Sequence, residues 1–133
     1  MNTIKLILAI GGAGAAGTLA RYGLSLALDS RFKLAGEHPL YGTLAANALG
    51  CLLFGLALAW FEGRVVQADH PTRLAVLTGF MGAFTTFSTF AYLSSDLMQK
   101  QQWLTAGGHI LMHNVVGITL FVAGAALGSK IAA

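Results

Sequence analysis

The chain has 133 residues, of which 56% are hydrophobic and only 10% are Asp, Glu, Lys or Arg, and its mean hydropathy is +0.69. A soluble domain normally carries about 25% charged residues, so most of this surface does not face water and lipid is the expected surrounding. The net charge of +3 comes from Lys and Arg scattered one or two at a time; without a basic stripe, nucleic acid is excluded as a partner.

The length allows one domain, residues 1–133. A membrane helix needs roughly 20 predominantly apolar residues, and the charges divide the chain into four such stretches, about 4–28, 40–61, 74–95 and 103–128. The expected class is therefore an all-α integral membrane protein with four transmembrane helices, multi-pass in a cell membrane. The connectors, Asp29 to Pro39, Glu62 to Arg73 and Asp96 to Gln102, carry turn or charge signals. Tyr41, Trp60 and Trp103 lie near span ends, as interfacial aromatics do. Cys51 falls inside an apolar run and has no second cysteine to pair with.

The first span begins like a signal peptide, with Lys5, an apolar stretch and small residues. Beyond Arg21, however, the apolar run resumes through Tyr22 to Leu28 and reaches the length of a membrane helix. Arg21 is the charged residue well inside a span, where a charge must snorkel, pair or face water. It reads either as a vestibule residue that concentrates anions or as a structural anchor. Gly11, Gly12, Gly14 and Gly17 mark a helix that packs closely on its neighbours.

In the second span Thr43 and Asn47 are four residues apart and share a helix face, which makes a polar stripe. The Asn47 amide supplies two N–H donors, suited to an anion or to a neighbouring helix.

The third span holds the most informative stretch, Gly79 to Phe90, in which two glycines, four hydroxyls and four phenylalanines fall within twelve residues. In hydrocarbon so weak a helix former is tolerated only where its backbone is buried in protein or lines a cavity. The stretch therefore marks a place where something polar is held or passed, as in a channel or transporter.

In the fourth span Thr105, His109, His113 and Gly117 recur every four residues, with Asn114 beside them. The His109/His113 pair reads as metal ligands lacking a third partner, as a proton relay, or as part of a polar track along an aqueous path. No Asp or Glu falls within 4–28, 40–61, 74–95 or 103–128, so the carboxylate usual for proton coupling or organic cations is missing. No nucleophile has a base partner and no carboxylates pair on one face, so an enzyme is not expected.

With four spans, one side of the membrane carries Lys5, Arg64, Arg73 and Lys130 and the other Arg31, Lys33 and Lys100, plus Arg21 if it reaches that side. A Lys/Arg bias normally sets orientation; here it is nearly flat, which favours insertion both ways round and an antiparallel dimer.

Three strings, Gly11 to Ala15 with Arg21-Tyr22, Gly42-Thr43 through Asn47 to Gly50, and Gly79 to Phe90 ending Thr85-Thr86-Phe87-Ser88-Thr89-Phe90, together resemble the Fluc/CrcB fluoride channels over essentially the whole chain. The resemblance implies a dual-topology antiparallel homodimer that lets fluoride leave the cell passively. It implies a third helix broken at mid-membrane, with a structural Na⁺ at the dimer interface held by the backbone carbonyls of Gly82 and Thr85. It also implies that Phe87 and Phe90 face the ion, that Asn47 and Thr43 sit by the pore, and that Ser88 and Thr89 join them; His109 and His113 stand where the family's polar track usually has hydroxyl or Tyr side chains. The competing functions are a small four-helix multidrug-type cation/proton antiporter, which needs a membrane carboxylate, and a membrane subunit that transports nothing.

Overall fold

Among the described residues, four helical stretches are long and apolar enough to cross a membrane. The structure, a computed structural model, describes residues 2–32, 40–64, 66 and 69–133. The first connector falls mainly outside the described residues, including Lys33 and Pro39. Helix α1 spans Thr3–Phe32, α2 Leu40–Gly63 and the last helix, α6, Trp103–Ala132. Between α2 and α6 the third stretch is composite: α3 (Pro71–Leu74), a π-helical segment (Ala75–Met81), α4 (Gly82–Phe84) and α5 (Phe87–Gln99). Among the described residues there is no strand.

Pro71 opens α3 at a position where its missing amide proton costs nothing, and His70 caps that end, its Nδ1 accepting from the Thr72 amide at 3.3 Å. At the far end of α5 the amides of Gln101 and Gln102 turn back to the carbonyls of Met98 and Leu97, with Gln101 at φ 60°. This is the left-handed stop that ends many helices. The helices overrun the expected spans, because their hydrogen bonding continues into the interface where charged side chains are solvated. One expectation is corrected by this: Glu62 and Asp96 lie inside the candidate spans 40–63 and 71–99. Each sits at a helix end with a cation, Glu62 3.7 Å from Arg73 and Asp96 3.3 Å from Lys100.

The main helix pair is α2 with α6. A Cβ added at Gly55 would run into the Phe121 carbonyl, at Gly124 into that of Leu52, and at Gly128 into that of Leu56. Lipid supplies no hydrophobic drive between helices, so close backbone approach through small residues is what joins them. Cys51 lies near Gly117 and Gly63 near Ala132, so the two helices run parallel, as they must with one full crossing between them. Helix α1 packs similarly on the third stretch, Gly17 against the Phe80 carbonyl and Gly79 against that of Ile10.

The interior is thin. Ala46, Phe84, Leu93 and Ala106 are buried, while Leu8, Leu104, Leu111 and Ile118 are exposed. Such large apolar side chains on the outside are those of a protein solvated by lipid.

Candidate functional site

The third stretch is interrupted near its centre. Thr85 (φ −86°, ψ 156°) and Thr86 (φ −147°, ψ 106°) are extended, two β-branched residues whose hydroxyls compete for backbone groups and disfavour helix. Asn47 takes over the backbone of Thr86: its Oδ1 accepts from the Thr86 amide at 2.8 Å and its Nδ2 donates to the Thr86 carbonyl at 3.2 Å. Thr86 in turn caps α5, its Oγ1 accepting from the Thr89 amide at 3.2 Å and lying 2.9 Å from Thr89 Oγ1 and 3.2 Å from Ser88 Oγ. An unpaired backbone group in hydrocarbon costs several kcal/mol, so the Asn47 amide is what lets the chain leave the helix here.

The same bonds release two carbonyls. In an unbroken helix the Thr86 amide would bond to Gly82 O and the Thr89 amide to Thr85 O. The first donor is spent on Asn47 and the second on Thr86 Oγ1. Gly82 and Thr85 thus carry carbonyls freed from helical pairing at the C-terminal, negative end of one half-helix, and Gly82 is exposed. Oxygen atoms of this kind suit a hard cation. The Thr85 hydroxyl is not among them, since it donates to the Met81 carbonyl at 3.1 Å.

The four phenylalanines of this stretch divide into two pairs. Phe80 and Phe84 stack at 5.8 Å, and Phe84 is buried in the core. Phe87 and Phe90 lie 5.4 Å apart on the other side of the break, with Phe87 78% exposed. The Phe90 ring lies 5.4 Å from His109 and 4.8 Å from His113, and the two imidazoles are 4.3 Å apart. Ser94 Oγ donates to the Phe90 carbonyl at 2.8 Å and meets His109 Nδ1 at 3.0 Å.

Two cavities flank this cluster. One of about 300 Å³ is lined by Asn47, Thr86, Phe87, Phe90, His113 and Asn114, among others. The second, about 250 Å³, includes Tyr41, Thr105, His109, Met112 and His113. His113 therefore stands between them, and the polar side chains form a track from the helix break toward the first turn of α6. Among the described residues no group of three or more His, Cys, Asp or Glu side chains is placed to hold a metal, so the metal-ligand reading of the His pair finds no third ligand there.

Of the expected site residues, the structure brings together Asn47, Phe87, Phe90, His109 and His113, with Ser88 and Thr89 at the cap of α5. Thr43 is buried but lines neither of these cavities. Arg21 is half-buried on α1, lines neither cavity, and its Nε has no hydrogen-bond partner among the described residues. Thr86, the hub of the break, and Ser94, the partner of His109, were not singled out from the sequence. A hydroxyl three residues ahead of Thr89 is a readable cap signal. Nothing local points from Ser94 to a histidine fifteen residues on.

Residues 7–125 match the family model described as "CrcB-like protein, Camphor Resistance (CrcB)". Similar proteins include one from Nitrosococcus oceani, 45% identical across 80% of this chain and 82% of its own length. One from Nitratidesulfovibrio vulgaris is 46% identical across 82% and 88%, and one from Maridesulfovibrio salexigens 42% identical across 92% and 94%. Each of these three relatives bears the name fluoride-specific ion channel FluC.

Proposed function

The chain belongs to the CrcB family, and from that premise we propose that it is a fluoride-specific ion channel, a multi-pass protein of the bacterial inner membrane that exports fluoride passively and so limits its toxicity. The observation that carries the reading is the helix break clamped by Asn47, which opens onto a track of hydroxyl, aromatic and imidazole side chains.

Fluoride is small, hard and strongly hydrated, so its path must replace water with compact donors yet not trap the ion. The Asn47 amide has two N–H donors; one holds the Thr86 carbonyl and the other serves the anion. A phenyl ring has a positive edge, so Phe87 and Phe90 carry fluoride edge-on without a fixed charge. The first turn of α5 adds the positive end of a helix dipole beside Ser88. No carboxylate stands in the middle of a span, and Glu62 and Asp96 are matched with cations at helix ends. Passive flow fits this better than proton-coupled cation exchange: the negative-inside potential alone drives the anion out.

In this reading the break lies at mid-membrane and the functional unit is an antiparallel, dual-topology homodimer. The flat Lys/Arg balance supports it. So does a small and polar face of the third stretch, where Thr78, Gly82, Ser88, Tyr92 and Ser95 are exposed and in lipid need a protein partner. The Gly82 and Thr85 carbonyls hold a structural Na⁺ at the dimer interface; bound there, the ion joins the subunits and offsets part of the anion's desolvation. Expression of the chain in a bacterial strain that lacks fluoride export tests the function. Growth in acidic fluoride medium, where HF enters and ionises, is the expected result; continued sensitivity despite membrane expression counts against it.

A further inference from the structure

Both imidazoles of α6 have Nδ1 engaged in a hydrogen bond, which leaves Nε2 as the remaining ring nitrogen. The single Ser94 hydroxyl proton goes to the Phe90 carbonyl, 2.8 Å away, so the 3.0 Å contact with His109 Nδ1 is a donation from the ring. His113 Nδ1 lies 3.0 Å from the His109 carbonyl, which can only accept, so this nitrogen carries hydrogen as well. What remains on each ring is Nε2. Both Nε2 atoms are buried and have no hydrogen-bond partner among the described residues. In a neutral ring that atom bears a lone pair, which repels an anion. His113 lines both cavities and His109 the second, so an anion travelling between them meets two acceptors where it needs donors.

We propose that His109 and His113 form a proton-dependent site for a small hard anion, in which protonation of Nε2 on one ring converts the acceptor into a charged N–H donor and allows fluoride to pass between the two cavities. This rests on the fluoride-channel reading. The two rings are 4.3 Å apart, and two like charges that close oppose each other, so the pair takes up one proton from the aqueous side before any second. A cation that comes and goes with a proton also avoids the permanent trap of a fixed lysine in a conduction path. Among the described residues the surroundings offer few other titratable groups: α5 brings Phe90 and Ser94, α6 itself Thr105 and Met112, and α2 contributes Tyr41 and Cys51 to the cavities. Asp96 on α5 lies with Lys100. Between pH 5 and 8 imidazole is the side chain that ordinarily changes charge.

The test is fluoride efflux from liposomes at equal internal and external pH, counting only release that depends on valinomycin, which excludes leakage of neutral HF. For the wild type, flux rises as pH falls from 8 to 6, approaching ~10-fold per pH unit where the pair is mostly neutral. His113→Gln and the double variant His109→Gln/His113→Gln lose this slope, because an amide presents an N–H donor at every pH; His70→Gln, at the exposed cap of α3, keeps it. A wild-type flux flat in pH overturns the proposal, as does an unchanged slope in the variants at His109 and His113 or a slope abolished in the His70→Gln control. If the double variant does not assemble, His113→Gln alone decides by the same reading. Silence at every pH removes the channel reading and this proposal with it, whereas robust flux without a pH slope removes this proposal alone.

Discussion

Asn47 is the residue on which the site turns, because it replaces the helix's own bonds at Thr86. Asn47→Leu leaves the Thr86 amide and carbonyl unpaired, at about 1–3 kcal/mol each, and should both lower thermal stability in detergent and stop flux. Asn47→Asp keeps the acceptor for the Thr86 amide but loses both N–H donors and adds a negative charge; it should cost less stability and still block fluoride. Equal flux from folded Asn47→Asp and wild-type protein would show that the amide serves structure alone. Phe87→Ile and Phe90→Ile separate packing from conduction, since Ile keeps apolar bulk but has no positive ring edge. Flux per folded protein should fall sharply in both, with a stability cost of about 1–3 kcal/mol at most. Normal turnover in both would remove the rings from the pathway. The Asn47-Thr43 stripe and the Phe-rich string were legible in the sequence as polar and aromatic features. Their pairing was not, because the Asn47 bonds close over 39 positions and no local pattern encodes so distant a partner. The tautomers of His109 and His113 were equally hidden, being set by Ser94 and by a backbone carbonyl.

Among the elements, the third stretch differs most from what its sequence predicts. Its weak helix formers marked a place between Gly79 and Phe90 where something polar is held or passed, and the family resemblance implied a broken helix; the interruption falls there, at Thr85 and Thr86. The π-helical turn Ala75–Met81 had no such signal, since a π bulge adds one residue to a helix without changing its composition. The four spans were legible from charge spacing alone, but their ends were not; helices continue past the apolar run wherever interfacial side chains satisfy the chain. Tight packing between α2 and α6 is where glycine composition becomes structure. Gly124→Val sets side-chain atoms against the Leu52 backbone, which has no flexible end to yield, and should cost about 1–3 kcal/mol. Gly23→Ala meets nothing within 4 Å in the chain, so its effect on melting in detergent should be small. Equal melting temperatures for the two variants would contradict the packing described.

As a whole molecule, a single chain leaves much apolar surface and a small polar face uncovered, and its Lys and Arg give no strong orientation. C-terminal reporters that sense opposite sides of the membrane should therefore both give signal. A single orientation would rule out the antiparallel homodimer and point to a related second chain. The most direct measurement concerns transport itself: purified protein in liposomes loaded with potassium fluoride, with release followed by a fluoride electrode after valinomycin is added. A channel of this kind releases the trapped fluoride rapidly, without a proton gradient or any cation substrate, and leaves chloride-loaded vesicles far less affected. Fluoride retained as in protein-free vesicles, or release that requires proton exchange, would contradict the account.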